Sequence, residues 1–179
     1  YISAVKQVVI IDNDPVTIDD GYVTPMQYPG YHLVWNDEFS GNALNAQYWS
    51  YETGGEWSNN ELQYYRQENT TVAGEVLTIE ARKENYGGRN YTSSRLVTRF
   101  KKSFKYGRID IRALLPEGQG IWPALWMLGD NITTTGWPGC GETDIMEMVG
   151  GNGRENTVYG TLHWDQNGSH ADSGNGYTL

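Results

Sequence analysis

The sequence predicts an all-β protein that is folded as a sandwich or a barrel of many short strands. No stretch as long as three helical turns keeps an apolar period of 3.6 residues, so no long amphipathic helix is expected. Glycine-rich turns separate short apolar or alternating segments, as at Gly54–Gly55, Tyr86–Gly88 and Gly150–Gly153. The composition agrees with this prediction, because 13 Tyr, 7 Trp and 22 Gly are typical of strands joined by turns.

The predicted strands follow one another along the whole chain. Charged and apolar residues largely alternate over Arg95–Arg112, which indicates two half-buried strands joined near Ser103. One turn of helix is expected at Asn45–Ser50, and a loop at residues 173–179. The other predicted strands are Val8–Ile11, Tyr31–Phe39, Glu75–Lys83, Ile121–Leu128, Glu142–Val149 and Asn156–Asp165.

The first thirty residues differ from the rest of the chain. A Val/Ile-rich strand runs into the acidic turn Asp12–Pro15, and Val16–Gly30 has the Pro, Gly and Asp content of a linker. The end of this strand resembles the last strand of a Calx-beta domain. The resemblance implies that residues 1–30 are the end of a preceding Calx-beta-like domain plus a linker, and that a second domain occupies residues 31–179.

Net charge limits the partners of the protein. The 22 aspartates and glutamates outnumber the 13 lysines and arginines, which gives a formal net charge of -9. Nucleic acid is not an expected partner, because phosphate binding needs a large positive excess. No apolar stretch approaches the roughly 20 residues that span a bilayer, so no membrane-spanning helix is predicted. Cys140 is the only cysteine, which excludes an intramolecular disulfide.

The aromatic residues suggest a polar ligand. Tyr and Trp, at 13 and 7 residues against 3 Phe, combine an apolar face with a polar edge. This chemistry suits a wet surface on which sugar rings stack. Tyr and Trp are also good strand residues, so composition alone leaves the structural and the functional interpretation open.

Three carboxylates lie within six positions, at Glu142, Asp144 and Glu147. On a regular strand Glu142 and Asp144 share a face, whereas Glu147 points the opposite way because successive side chains alternate. One extra residue in the ladder restores the alternation, so we predict a β-bulge near Ile145–Met146. The bulge would place all three carboxylates on one face and Met148 on the other.

Such a cluster has the composition of a glycosidase site. Clustered carboxylates repel one another, so at least one is expected to have a raised pKa and to hold a proton near neutrality. Hydrolysis of a glycosidic bond needs one protonated carboxyl for the leaving oxygen and one carboxylate that attacks the anomeric carbon or activates water. A surface strand with exposed acids, or an incomplete cation site, would show the same spacing.

Aromatic and imidazole side chains flank this cluster. Trp122 and Trp126 are four residues apart and share a face of an extended strand, where two indoles would stack pyranose rings along a cleft. Core tryptophans would show the same pattern. His163 lies on an alternating strand, and a single histidine there is more often structural than functional. The basic residues of 66–112 fit a solvated sheet face or an anionic-ligand site.

Taken together, these segments resemble the catalytic core of glycoside hydrolase family 16, and within it the laminarinase (endo-β-1,3-glucanase) branch. Gly-Glu-Thr-Asp-Ile-Met-Glu at 141–147 is similar to the bulged Glu-x-Asp-x-x-Glu form of that branch, and Trp-Pro-Ala-Leu-Trp-Met-Leu precedes it at 122–128. The resemblance runs from Tyr31 to Leu179. Further matching segments are Leu33–Phe39, Asn59–Tyr65, Thr92–Leu96, Lys105–Ala113 and Gly160–Trp164.

The resemblance implies a β-jelly-roll sandwich of two antiparallel sheets. It also implies an endo-acting β-1,3-glucanase that retains anomeric configuration through a covalent glycosyl-enzyme intermediate. Glu142 would be the nucleophile, Glu147 the general acid/base, and Asp144 a hydrogen-bond partner of the nucleophile. The residues implied to bind the substrate are Asn60, Arg95, Trp122, Trp126 and His163, with His163 near the acid/base side of the cleft.

No cofactor is implied for the chemistry, but members of the family often bind one structural calcium. Glu38 and the Gly74 carbonyl match two of its ligand positions, whereas a late aspartate has no counterpart here. The family's domain continues beyond the position of Leu179 with several strands, so a further segment or a second chain is expected to complete the sandwich. The resemblance further implies a monomeric, secreted or cell-surface bacterial enzyme.

Two other functions fit the same residues. One is a family enzyme that acts on mixed-linkage glucan, agarose or carrageenan. The other is a non-catalytic β-glucan-binding module, whose relatives generally lose the catalytic glutamates. Because all three acids are present in this chain, the sequence favours an enzyme.

Overall fold

The computed structural model describes the backbone of residues 2–11 and the whole of residues 24–179. The chain divides into two compact units, residues 1–114 and residues 115–179, and each is described by itself. Strands make up nearly all the regular structure of the described residues, which confirms the all-β prediction. Helix is confined there to one 3-10 turn and one four-residue turn, and neither is long enough to cross a membrane.

The first unit contains eight described strands. Its main sheet has the order β4-β5-β1-β8, and the pairs β2–β7 and β3–β6 form two small sheets. Pairing is antiparallel in β4–β5 and β2–β7, as expected, but β1 runs parallel to β5 and β8, and β3 runs parallel to β6. The strands are β1 (Ile2–Ile11), β2 (Ser50–Glu52), β3 (Gln63–Tyr65), β4 (Thr70–Ala73), β5 (Val76–Glu80), β6 (Tyr91–Ser93), β7 (Arg95–Val97) and β8 (Ile109–Leu114).

Phe39 belongs to a small hydrophobic core in this unit. It is buried with Val72 and Leu77, and partly buried side chains pack around the three. The prediction of a strand over Tyr31–Phe39 is wrong, because no strand is present there. The Asp37 carboxylate accepts a hydrogen bond from Phe39 N at 3.0 Å, and this local turn competes with ladder pairing. Phe39 itself has φ 48, which takes the backbone out of the extended region.

Other local predictions for this unit have mixed outcomes. At Asn45–Ser50 one turn of helix was predicted, and the chain forms a hydrogen-bonded turn without a helix: Asn45 O accepts from both Tyr48 N and Trp49 N at 3.0 Å. The two strands predicted over Arg95–Arg112 are β7 and the first part of β8. The predicted acidic turn at 12–15, and the linker as far as residue 23, lie outside the described residues.

The second unit is one antiparallel sheet with the strand order β12-β11-β10-β9. The predicted strands over Ile121–Leu128, Glu142–Val149 and Asn156–Asp165 are all present, with ends that differ from the prediction by at most three residues. The elements are β9 (Ala124–Leu128), α1 (Ile132–Thr135), β10 (Glu142–Glu147), β11 (Thr157–Gln166) and β12 (Ser169–Thr178).

Strand β12 replaces the loop predicted at residues 173–179. Its glycines have low strand propensity, but pairing with β11 along ten residue positions overrides that preference. A Cβ on Gly174 would lie 2.8 Å from the Thr161 hydroxyl, so the close approach of the two strands requires glycine there. The detectable signal was Asn167–Gly168, a strong two-residue hairpin turn.

Candidate active site

The predicted bulge is present in β10 and aligns the three carboxylates. Asp144 pairs with Trp126 on β9, and Glu147 pairs with Ala124, so three steps along β10 correspond to two steps along β9. The same mismatch occurs against β11. This extra residue returns Glu147 to the face of Glu142 and Asp144, whereas Met148 is buried at 1% exposure.

Each glutamate accepts a hydrogen bond from an indole. Trp137 Nε1 donates to Glu142 Oε2 at 2.6 Å, and Trp122 Nε1 donates to Glu147 Oε1 at 3.0 Å. Both tryptophans are 49% exposed, so each ring still presents apolar surface to solvent. The two indoles therefore orient the two glutamates and stabilise their ionised forms.

Asp144 is the most buried acid of the cluster, at 5% exposure. Its Oδ2 lies 2.9 Å from His163 Nε2, and its carboxyl also hydrogen-bonds that of Glu142. His163 lies directly opposite Glu142 in the β10–β11 register, and its charge also acts on Glu147, so its place on the acid/base side of the cleft stays a prediction. The antiparallel register fixes the position of His163 opposite Glu142, and the sequence alone does not reveal it.

Burial raises the pKa of all three carboxyls above their ordinary values. For Asp144 the charge of Glu147 adds to the effect of burial, and for Glu147 the charge of Glu142 does so. The indole of Trp137 partly offsets the raised pKa of Glu142, and that of Trp122 partly offsets the raised pKa of Glu147. A cluster of this kind holds a proton at pH values where isolated carboxyls have lost theirs.

The two tryptophans predicted to share one extended strand occupy different places. Trp126 lies in β9 and pairs with Asp144, whereas Trp122 precedes the strand, which begins at Ala124. Ladder-like hydrogen bonds nevertheless continue beyond the strand, because Pro123 O accepts from Met148 N at 3.1 Å. Both tryptophans are therefore brought to the carboxylates, Trp126 by pairing and Trp122 by its hydrogen bond to Glu147.

Sequence reasoning missed Trp137, which lies in the loop between β9 and β10. This loop is closed at its base, where Gly129 N donates to Gly141 O at 3.1 Å. A Cβ on Gly129 would lie 1.9 Å from Cys140 O, so the closure requires glycine. The available signal was a tryptophan in a Pro/Gly-rich loop that leads directly into the first carboxylate.

Asn60 and Arg95 belong to the first unit, where Arg95 forms a defined polar cluster. Arg95 Nε lies 2.7 Å from Glu52 Oε2, and its guanidinium stacks over the Trp57 ring at 4.6 Å from the centroid. Asn60 is exposed in a loop and has φ 57. Glu52 also lies 3.7 Å from Arg99, so one carboxylate faces two guanidinium groups in this cluster.

Glu38 and Gly74, the predicted calcium ligands, also belong to the first unit. Glu38 Oε1 accepts a hydrogen bond from Asn36 Nδ2 at 3.3 Å, and Gly74 lies in the turn between β4 and β5. Two oxygen ligands alone would not fill the shell of a calcium ion, which takes about six to eight. Binding of a structural calcium ion by these two residues therefore stays a prediction.

Comparison with known proteins gives a consistent result. Residues 39–176 match a family model described as "XgeA-like, catalytic GH16 domain". The chain is 54% identical over 142 residues to a beta-glucanase of Rhodothermus marinus, which covers 75% of this chain and 49% of that protein. It is 46% identical over 77 residues to a beta-1,3-glucan-binding protein of Penaeus monodon, covering 41% of this chain and 21% of that protein.

A solved structure agrees with these sequence matches. The catalytic domain of an endo-1,3-beta-glucanase (laminarinase) from Thermotoga petrophila RKU-1 aligns with a TM-score of 0.73 and 46% identity, over 83% of this chain and 62% of that chain. This likeness confirms the predicted β-jelly-roll class. The chain spans about half the length of the beta-glucanase that it matches.

Proposed function

Because the chain belongs to glycoside hydrolase family 16, we propose that it is an endo-acting β-1,3-glucanase that retains anomeric configuration. The observation that carries this proposal is the bulged strand β10, which places Glu142, Asp144 and Glu147 on one face. Glu142 and Glu147 lie in different environments, and buried Asp144 lies between them in the sequence and hydrogen-bonds Glu142. The two glutamates provide the nucleophile and the acid that glycoside hydrolysis needs.

In the proposed first step, Glu142 attacks the anomeric carbon while Glu147 protonates the oxygen of the leaving sugar. The glycosidic bond breaks, and a glycosyl ester forms on the Glu142 carboxylate. In the second step, Glu147 removes a proton from water, which attacks the same carbon and releases Glu142. Two inversions give net retention. Glu147 loses its proton in the first step and regains one from water in the second.

Asp144 has a supporting role in this mechanism. Its hydrogen bond with Glu142 lets Asp144 hold the shared proton, so that Glu142 attacks as the ionised carboxylate. Its contact with His163 at 2.9 Å holds the carboxyl in place. We therefore assign Asp144 to positioning of the nucleophile and to adjustment of its charge.

The proposed substrate contacts are stacking and hydroxyl binding. Trp122 and Trp126 would stack sugar rings beside the carboxylates, and His163 would contact the sugar near Glu142. The half-exposed ring of Trp122 supports this role. Asn60 and Arg95 would bind sugar hydroxyls, a role that rests on the family resemblance.

The choice of β-1,3-glucan rests on the relatives, so a substrate panel is the direct test. Laminarin should be cleaved faster than lichenan, agarose or κ-carrageenan, and the products should include oligosaccharides from the start of the reaction. Proton NMR should detect the β-anomer first. Preferred cleavage of another polymer would reject the proposed specificity, and an initial α-anomer would reject retention.

A glucan-binding module without hydrolytic activity is the second candidate, favoured by the similarity to the beta-1,3-glucan-binding protein. The presence of all three acids, each with a raised pKa, supports the enzyme instead. Laminarin binding without release of reducing ends would establish the second candidate. We further propose that the protein acts outside the cell, where its polymeric substrate is found; monomeric state stays a prediction.

Removal of the Trp122 indole N–H is expected to shift the alkaline limb of the pH–kcat/KM profile upward. This N–H stabilises ionised Glu147, so Trp122→Phe should raise the pKa of Glu147 further. The general acid works only while protonated, and activity is lost as pH rises through that pKa. The variant should therefore keep a given fraction of its own maximal activity up to a higher pH. Its maximal kcat/KM should be lower than that of the unaltered protein, because phenylalanine stacks more weakly on a sugar ring than tryptophan does.

Trp164→Phe is the matched control, because Trp164 is 37% exposed and neighbours His163 on β11. The titratable groups facing Glu147 are Glu142 and Asp144 on its own strand, and His163 and Tyr159 on β11. Both variants leave these groups in place. A downward shift of the limb in Trp122→Phe, or an equal shift in the control, would contradict the assignment.

A further inference from the structure

The hairpin of β11 and β12 carries a second group of ligating side chains next to the carboxylates. His163, His170 and Asp172 each place one ligand atom within 4.8 Å of the other two. Two imidazoles and one carboxylate are the donor set of many zinc and other transition-metal sites, whereas calcium and magnesium prefer oxygen ligands. The composition of this group therefore favours a transition-metal ion.

The backbone of the hairpin fixes the group. Asp172 lies directly opposite His163, and His170 lies opposite Asp165, so all four side chains share one face. The turn at Asn167 and Gly168 has φ values of 58 and 83, as the two-residue type I′ turn requires. Asp165 Oδ1 accepts from Gly168 N at 3.0 Å and so belongs to the turn.

The orientation of His163 supplies the strongest argument. Its Nε2 faces Asp144 Oδ2 at 2.9 Å, which leaves Nδ1 pointing at His170 Nε2, also at 2.9 Å. The two rings are nearly edge to edge, with centroids 5.1 Å apart and planes inclined by 29°. Histidines that bind metals commonly donate their other ring N–H to a carboxylate, which fixes the tautomer. Asp144 is in place to accept that hydrogen bond.

We propose that His163 Nδ1, His170 Nε2 and the Asp172 carboxylate bind one Zn²⁺ or a similar transition-metal ion. In a tetrahedral zinc site two ligating nitrogens lie about 3.3 Å apart, given zinc–nitrogen bonds of about 2.0–2.1 Å. The observed 2.9 Å would have to widen slightly, which requires a small rotation of the exposed His170 ring beside Trp137, whose ring centroid is 4.7 Å away. Water would complete the shell on the solvent side.

An ion at this position would inhibit hydrolysis. It would replace the hydrogen bond between the two histidines and hold His163 in one orientation. Because His163 is the residue proposed to contact the sugar near Glu142, an ion bound to its ring would also interfere with that contact. Metal binding stands independently of the proposed function, whereas inhibition rests on it.

Calorimetric titration of the tag-free protein with ZnCl₂ tests the site. We expect one ion per chain and at least about 100-fold weaker binding in His170→Ala, with about tenfold weaker binding in Asp172→Asn. His32→Ala is the matched control, since His32 is the one histidine of the three in the sequence that is outside the proposed site, and it belongs to the first unit. Its affinity should equal that of the unaltered protein.

Imidazole NMR signals provide a second readout that does not depend on hydrolysis. Zinc should shift the signals of His163 and His170 and leave those of His32 unchanged. Absence of zinc binding up to about 1 mM, or equal affinity in His170→Ala, would overturn the site. Half-inhibition of laminarin hydrolysis should need at least about 100-fold more zinc in His170→Ala. Equal inhibition of both proteins, with binding lost in the variant, would reject the inhibitory coupling alone.

Discussion

Glu142→Ala is expected to lower kcat for laminarin hydrolysis by on the order of 10⁴-fold or more, because it removes the atom that bonds to the anomeric carbon. Binding of laminarin should persist, since the alanine leaves Trp122 and Trp126 in place. The measurement is reducing-end release under saturating substrate, together with affinity electrophoresis in laminarin. A kcat within about 100-fold of the unaltered protein would exclude Glu142 as the nucleophile.

Loss of activity alone does not show that Glu142 is the nucleophile, but the product formed with azide does. With an aryl β-glucoside of a good leaving group, azide should attack the anomeric carbon from the side vacated by Glu142 and give the α-glycosyl azide. The single displacement inverts configuration, so the product differs from that of the intact enzyme. A β-glycosyl azide would assign Glu142 to the acid/base position instead.

Two controls separate catalysis from folding. Glu117→Gln alters an exposed glutamate of the same unit and should keep full activity. Glu142→Gln keeps an acceptor for Trp137 and removes a partly buried charge. Because the pKa of Glu142 is raised in the folded state, its ionised form destabilises the fold as pH rises above about 4.5. The melting temperature of Glu142→Gln at pH 7 should therefore equal or exceed that of the unaltered protein, and the gain should vanish at pH 3.

The sequence was sufficient for those features that side-chain alternation determines. Glu142, Asp144 and Glu147 can face one way only if one residue is inserted between them, so the bulge in β10 followed from counting. Strands β9, β10 and β11 were predicted for the same reason, since their apolar and polar residues alternate or run in short blocks.

Features that depend on pairing partners were not predictable from local pattern. Strand β12 has a polar, glycine-rich sequence and exists because β11 lies beside it. The position of His163 opposite Glu142 depends on the register of the same sheet. Conversely, Tyr31–Phe39 has strand-like residues, but among the described residues no strand pairs with it, and the turn at Asp37 takes its place.

Trp137 shows a third kind of limit. Its indole reaches Glu142 because the loop between β9 and β10 closes on itself at Gly129 and Gly141. Loop closure depends on backbone geometry that has no periodic signature in the sequence. Residue type alone therefore indicated the acids that we propose to be catalytic, but not the indole that orients one of them.

Glu147→Ala is expected to affect substrates according to their leaving groups. For laminarin, whose leaving sugar needs a proton, kcat/KM should fall by about 10³–10⁴-fold. A dinitrophenyl β-glucoside leaves without protonation, so the first step should proceed and release a burst of one equivalent of phenolate. The second step lacks its base and should be slow, and the glycosyl ester on Glu142 should accumulate to a level that mass spectrometry detects.

Azide and pH then decide between Glu147 as acid/base and Glu147 as a structural residue. Azide should speed turnover of the dinitrophenyl substrate by attack on the glycosyl ester, and because this is a second inversion the product should be the β-glycosyl azide, the opposite of that from Glu142→Ala. The alkaline limb that reports the raised pKa of Glu147 should also disappear from the profile of kcat/KM. Equal losses on laminarin and the activated substrate, with no burst, would show that Glu147 supports the fold of the site and transfers no proton. A merely structural role cannot explain a burst followed by turnover that azide restores with retention. Only loss of the base leaves the glycosyl ester intact and open to an external nucleophile.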